Sequence, residues 1–270
     1  MKKFLVCFKT VPDLDMLSDS DWSLDETGTV DTRYVKKMIN PYDECALELV
    51  LKLRDELKTK DEDVEITAFT LDNNLSGRTM KSFYALGFKI VAVAEAPKES
   101  NFDSMSVTEI IKDYVASEGP FDGVFLGVQS SPGDNGKTPF LLSEKLGIPC
   151  VQGIKNIHEK SGKLHIESLT DSILIKQELT GPVVFAIGNV ASAYLRIPTL
   201  KDRLAVKNKK PIDFKSPAFD MDDNGTRKGS VRLLSLKNRD RSRNCEMITG
   251  HSPKEIAEKL YSDYLKDRVE

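Results

Sequence analysis

Short apolar runs of strand length alternate with helix-patterned segments through the first 190 residues of this 270-residue chain. Phe4-Leu5-Val6-Cys7-Phe8 is continuous and apolar, as expected of a strand buried on both faces. Asn40-Pro41-Tyr42-Asp43-Glu44 opens a helix: Asn suits the N-cap, Pro the first helical position, and the acids the positive end of the helix dipole. Ala46, Leu47, Val50, Leu51, Leu53 and Leu57 form its apolar face. The pattern then repeats with a strand over Val64–Leu71 and a helix over Ser76–Leu86 that stops at Gly87. A strand follows at Ile90–Ala94, then a helix carrying Val107, Ile110, Ile111, Tyr114 and Val115 that stops at Gly119-Pro120. Val124–Val128, a helix over Phe140–Leu146 and a strand at Val183–Ile187 complete the series. Alternation at this spacing predicts an α/β fold, an open and mostly parallel sheet with right-handed crossovers and helices on both faces.

Other segments break this rhythm. Trp22-Ser23-Leu24 and Val30 flank a polar stretch around Gly28 that reads as a hairpin. Beyond residue 200 the composition turns basic at Lys207-Asn208-Lys209-Lys210-Pro211 and polar over Asp220–Gly229. Ser252-Pro253-Lys254-Glu255 is a capping box with Pro at the first helical position, ahead of a helix bearing Ile256, Leu260, Tyr261 and Tyr264 on one side. We expect one domain over 1–200 and a C-terminal arm and helix over 201–270, either docked on a partner or folded back on its own domain.

Chemistry is constrained as much by what is sparse as by what is present. Lys and Arg number 39 against 42 Asp and Glu, a net charge of −3 that offers no global field for nucleic acid. Apolar runs stay short of the ~20 residues of a membrane helix, and Met1-Lys2-Lys3 runs straight into the first strand, so a cytoplasmic protein without a transmembrane segment is expected. Cys7, Cys45, Cys150 and Cys245 are scattered, and His158, His165 and His251 lack metal-ligand spacing. No G-x-S-x-G elbow is present. Metal catalysis and nucleophilic catalysis are both disfavoured, and the expected role is to hold a cofactor that carries the redox chemistry itself.

Open parallel sheets bind ligands beyond the carboxyl ends of their strands, where the strand order reverses. Cys7-Phe8-Lys9, Thr70-Leu71-Asp72 and the loop Gly127–Thr138, which reads G-V-Q-S-S-P-G-D-N-G-K-T, are the segments expected there. That loop leads into a helix with Lys137 beside it, which suits a phosphate. It is not a Walker A motif, because Ser131 stands where the first Gly should be, and it lacks G-x-G-x-x-G. On spacing alone, a surface turn and a phosphate cradle fit equally well.

The same segments carry a resemblance. F-L-V-C-F-K-T-V-P-D, M-I-N-P-Y-D-E-C-A-L-E, R-T-M-K-S-F-Y-A-L-G, F-D-G-V-F-L-G-V-Q-S-S-P-G-D, L-L-S-E-K-L-G-I-P, L-T-G-P-V-V-F-A-I and T-G-H-S-P-K-E-I-A-E-K-L run in order nearly end to end. In these the chain resembles the β subunit of electron transfer flavoprotein. The resemblance implies a Rossmann-like domain that binds AMP, or a second FAD in electron-bifurcating members. It also implies a heterodimer with an α subunit that shares the redox-active FAD, fed by a flavin dehydrogenase such as an acyl-CoA dehydrogenase. Carried over by position, Cys7 and Lys9 line the pocket together with Gln129, and Asn40 and Leu71 meet the nucleoside. Asp134, Asn135, Lys137 and Thr138 meet the phosphates. Tyr194 and Arg196, the partner-docking candidates, lie within Val190–Pro198, which replaces the partner-recognition loop common in the family's fatty-acid-oxidation carriers.

Departures from the family pattern are Gln129-Ser130-Ser131-Pro132-Gly133-Asp134, which keeps only Asp134 of an acidic run, and Asp171-Ser172-Ile173 in place of D-G-G. The expected function is therefore an electron carrier subunit rather than an enzyme. The alternatives are a free-standing adenine-nucleotide-binding or sensing domain of the same superfold, and, by fold analogy alone, an ATP-using ligase or pyrophosphatase.

Overall fold

A computed structural model describes residues 1–25, 30–72, 76–95, 103–131, 133–189, 194–217 and 245–269. The chain divides into two compact units, Met1–Trp22 with Thr32–Leu233, and Ser23–Asp31 with Leu234–Glu270. In the first unit the strands are β1 (Lys2–Cys7), β2 (Thr10–Pro12), β3 (Lys37–Ile39), β4 (Val64–Thr70), β5 (Ile90–Ala94) and β6 (Gly123–Gly127). They continue with β7 (Cys150–Gln152), β8 (Ile154–Lys160), β9 (Lys163–Thr170), β10 (Ile173–Leu179), β11 (Val183–Ile187) and β12 (Ile212–Phe214). Its helices are α1 (Pro41–Lys58), α2 (Gly77–Ala85), α3 (Ser104–Glu118), α4 (Thr138–Leu146) and α5 (Leu200–Ala205).

Seven strands form one sheet in the order β12-β5-β4-β1-β6-β11-β7, and every neighbouring pair is parallel. The fold is the expected doubly wound, Rossmann-like α/β architecture. Side chains alternate across β1 with the period of two that a pleated strand imposes. Phe4, Val6 and Phe8 pack with Leu47, Leu51 and Leu53 of α1 and Phe83 of α2, whereas Leu5 and Cys7 pack with Ile110, Ile111 and Tyr114 of α3 and Leu142 of α4. The two apolar layers are thus separated by the central strands, whose residues are buried on both faces. Stacked Phe125 and Phe185 rings, 4.5 Å apart, join β6 to β11.

Two features lie outside the alternating pattern. β2 and β3 pair antiparallel between β1 and α1. β8, β9 and β10 form a separate antiparallel sheet, order β10-β9-β8, that contributes Ile154, Ile157, Leu164 and Ile166 to the α1 side of the core. Its turns carry left-handed backbones at Ser161 and Gly162 and at Asp171, the geometry of tight hairpins. Apolar residues Leu169, Ile173, Leu174 and Ile175 are exposed on this sheet.

In the second unit, Leu24 and Val30 form an antiparallel bridge, and the turn expected at Gly28 lies outside the described residues. Helix α6 (Pro253–Leu260) starts as expected: Ser252 Oγ accepts from Glu255 N at 3.3 Å with Pro253 behind it. One π-helical turn, Tyr261–Leu265, leads into α7 (Lys266–Val269). The polar stretch 220–229 lies outside the described residues. No described helix is long and apolar enough to cross a membrane.

Candidate functional site

Strand order reverses at β1: the chain passes from β1 to β4 and β5 on one side, then returns to β6 on the other. The carboxyl ends of β1, β4 and β6 therefore open onto one crevice, and the segments beyond them are Phe8-Lys9, Leu71-Asp72 and the loop from Val128. Helix α1 starts at the same place. Its first turn is tied to both flanks by Asp43, a buried residue whose Oδ2 accepts from Lys9 N at 2.9 Å and whose Oδ1 accepts from Gly127 N at 2.8 Å. One carboxylate thus fixes the ends of β1 and β6 relative to each other.

Asn40 occupies the N-cap position of α1, but its side chain does not cap the helix. Its Nδ2 instead donates to Gln129 O at 2.9 Å, its backbone N donates to Lys9 O at 2.9 Å, and the residue is 1% exposed. The local capping rule gives way because the side chain has tertiary acceptors within reach. Gln129 Nε2 lies 3.4 Å from the Tyr42 hydroxyl, so the start of the loop rests on the start of α1.

Burial dominates the electrostatics. Loss of solvent raises the Asp43 carboxyl to about 6, against the opposing effect of hydrogen bonds from Lys9 N, Gly127 N and the Asn40 side chain and of the Lys9 charge. Burial also lowers Lys9, with Asp43 working in the other direction. The Cys7 thiol is pushed far up by burial and secondarily by Asp43, so it is a neutral core group and no thiolate nucleophile. All four cysteines are free.

The expected site residues fall on three pieces of this rim. Cys7 is buried at the end of β1, Lys9 is half-buried just past it, and Leu71 packs at the edge of the α3 side of the core. Asp134, Asn135 and Lys137 are exposed on the loop, and Thr138 is the first residue of α4. Asp134 N donates to Ser130 O at 2.6 Å, and left-handed backbones at Gly133, Asp134 and Gly136 curl the chain into α4. Pro132 lies outside the described residues.

Tyr194 and Arg196 belong to a different surface. Residues 190–193 of that segment lie outside the described residues. Tyr194 is 86% exposed. Arg196 is bound within the chain: its Nη2 donates to Glu48 Oε1 at 2.7 Å, its backbone N to Glu48 Oε2 at 3.0 Å, and its Nη1 pairs with Asp55. Leu195 N donates to Glu44 Oε1 at 3.2 Å. The polar stripe of α1 therefore holds this segment down while Tyr194 and Ile197 point outward.

Thr70 and Gly127 fall in segments expected at this edge, whereas the sequence marks Tyr42 and Asp43 only as the start of a helix. Asp43 was legible only as an acid in a first helical turn, since its partners are 34 and 84 positions away. Thr70, at the carboxyl end of β4 and 1% exposed, carries the one buried side-chain hydroxyl among the described residues that has no hydrogen-bond partner. A buried polar group without a partner costs about 1–3 kcal/mol.

The fold defines a doubly wound α/β protein whose strand order reverses at β1. A model of the electron transfer flavoprotein domain matches residues 27–212, and the chain belongs to that family. It is 26% identical over 268 residues, 98% of each chain, to YgcR of Escherichia coli strain K12, provisionally named as an electron transfer flavoprotein subunit. It is 25% identical over 229 residues to the electron transfer flavoprotein subunit beta of Megasphaera elsdenii, covering 82% of this chain and 81% of that one. It is 24% identical over 226 residues to the acryloyl-CoA reductase electron transfer subunit gamma of Anaerotignum propionicum, 78% of this chain and 81% of that one. The chain is thus similar to the β-subunit branch, whose members are electron carriers rather than enzymes.

Proposed function

We propose that this chain is the β subunit of a heterodimeric electron transfer flavoprotein that holds the adenosine end of AMP or FAD at the carboxyl edge of its parallel sheet. The observation that carries this reading is the meeting of the β1, β4 and β6 ends at the reversal of strand order, held by Asp43 and Asn40. In it, Cys7, Lys9 and Gln129 line the crevice, and Asn40 and Leu71 contact the nucleoside. Asp134, Asn135, Lys137 and Thr138 contact the phosphates.

The residues fit such a group. Thr70 leaves a buried hydroxyl unpartnered beside Leu71. The curled loop feeds the N-terminal turn of α4, whose first N–H groups have no carbonyl four residues back. FAD supplies reversible one- and two-electron redox chemistry when bound. The protein's part is to hold the adenosine, exclude water from its contacts and present a docking surface. Under this reading an α subunit carries the main share of the redox FAD, residues 201–270 pack on it, and a flavin dehydrogenase such as an acyl-CoA dehydrogenase delivers electrons in the cytoplasm.

Denaturing the purified complex and counting flavins released per heterodimer tests the reading and separates AMP from FAD. Copurification with an α subunit without any bound adenine nucleotide would refute it. Asp134→Ala or Thr138→Val is expected to weaken nucleotide retention by about 0.5–3 kcal/mol, the range of one lost hydrogen bond. Equilibrium dialysis checks this, and unchanged retention in both moves the site off the loop.

The docking surface has its own test. In this reading Arg196 positions Tyr194 and Ile197, which are 86% and 82% exposed. Arg196→Gln breaks a pairing whose Glu48 side is buried, and solvent screening at the partly exposed arginine limits the stability loss to about 1–2 kcal/mol. Electron transfer from the dehydrogenase is expected to fall through a higher apparent KM for the carrier with kcat little changed. A fall in kcat alone at unchanged KM would place Arg196 outside docking.

A further inference from the structure

A second charged feature shares no lining residue with the crevice. Gly77, Arg78, Lys81 and Ser82 of α2 and Arg203 of α5 line an open hollow of about 450 Å³. Three cations meet there, and the lining includes no carboxylate. Among the described residues none of the three has an ion-pair or hydrogen-bond partner. The acid next in sequence to Arg203 is engaged elsewhere, because Asp202 accepts from Thr199 N and Oγ1 in the capping box of α5. An anion seated there meets cationic side chains and no carboxylate.

The donor set points to phosphate. Arg78 and Lys81 are three residues apart, so they project from one face of α2, and Arg203 approaches from another element. Two guanidinium forks and one ammonium match the doubly charged, multi-oxygen geometry of a phosphomonoester better than a single carboxylate. Gly77 and Arg78 also provide the first backbone N–H groups of the nine-residue helix α2, whose first turn holds no acid. At Gly77 an added Cβ would meet only Met80 Cε, at 4.0 Å, so the hollow has room to spare. We propose that the Arg78–Lys81–Arg203 hollow binds the phosphate group of a soluble phosphomonoester through side chains that are not those assigned to the nucleotide.

The test uses the full-length chain with glycerol phosphate as the probe, following the Nε–Hε signals of Arg78 and Arg203 by NMR at near-physiological salt. These signals report the hollow alone, so the outcome does not depend on whether the crevice holds a nucleotide. Saturable shifts are expected with a Kd of about 0.1–1 mM. Arg203→Gln and Lys81→Gln are each expected to weaken binding about tenfold while the melting temperature stays the same, since both side chains are exposed and have no partner among the described residues. Shifts that remain linear without saturation, or equal affinity in both variants, would overturn the proposal. So would saturation by a polyglutamate peptide but not by glycerol phosphate, which would make this face a protein-docking surface.

Discussion

Between about pH 4 and pH 8 the wild-type chain is expected to lose about 3 kcal/mol of stability relative to Asp43→Asn. Burial moves the Asp43 carboxyl from 3.8 to about 6 in the folded protein. The native state therefore keeps a proton at pH values where the unfolded chain has released it. That contribution is fully present below about 3.8 and is lost as pH rises through about 6. Moving the carboxyl from 3.8 to about 6, at about 1.36 kcal/mol per pH unit, sets the size. Asn cannot titrate, so the difference between the two proteins isolates Asp43. Asp55, Glu56, Glu109 and Glu159, which are lowered by their partners and act in the opposite sense at lower pH, are common to both. Urea unfolding at a series of pH values measures the difference, and a gap that stays constant with pH would show that Asp43 is not held in a desolvated site.

Gly127→Ala is expected to destabilise the protein by about 3 kcal/mol and to release bound nucleotide. A Cβ at this position would lie 2.9 Å from Tyr42 Cβ and 3.0 Å from Asp43 N, and closer still to Asp43 Oδ1. Two of these neighbours are not flexible side-chain tips: they belong to the first turn of α1, so the helix start must move away from β6. The close approach is what lets Gly127 N reach the carboxylate at 2.8 Å. Removing that carboxylate removes the tightest of the three clashes. In an Asp43→Ala background, Gly127→Ala should therefore cost less than in the wild type, with a coupling of about 1 kcal/mol or more. Strict additivity in that double-mutant cycle would mean that the two residues do not share one contact.

Periodic burial explains most of what was legible beforehand. Phe4–Phe8, Val124–Phe125 and Val183–Ile187 are buried on both faces, so their composition alone marks them as central strands. Helix α1 announces itself through Asn40-Pro41 and its leucines, and α6 through its capping box. The sheet β8-β9-β10 was overlooked although Ser161-Gly162, flanked by Ile157 and Ile166, is a hairpin signal. Exposed apolar residues on β10 blur the alternation that would have marked that strand, because Ile173, Leu174 and Ile175 are consecutive. The short strands β2, β7 and β12 each have only three residues, too few for any period to register.

The site divides along the same line. Backbone conformation at Gly133, Asp134 and Gly136, and the loop-to-helix step at Thr138, depend on neighbours in the chain, and the residue types there already implied a curled loop before a helix. The motifs that tie the chain to its family are likewise local strings in a set order. Which ends meet, however, depends on strand order, and strand order is decided by how the strands stack between two layers of helices. Asp43 illustrates the difference: in sequence it is one acid in a helical first turn, and in the folded molecule it is the acceptor that joins residues 9 and 127. Arg196 likewise gains its partners from α1, 148 and 141 positions back along the chain. Local propensities act within a few residues and can be read from the string, whereas pairing across such separations exists only after the core has brought the elements together.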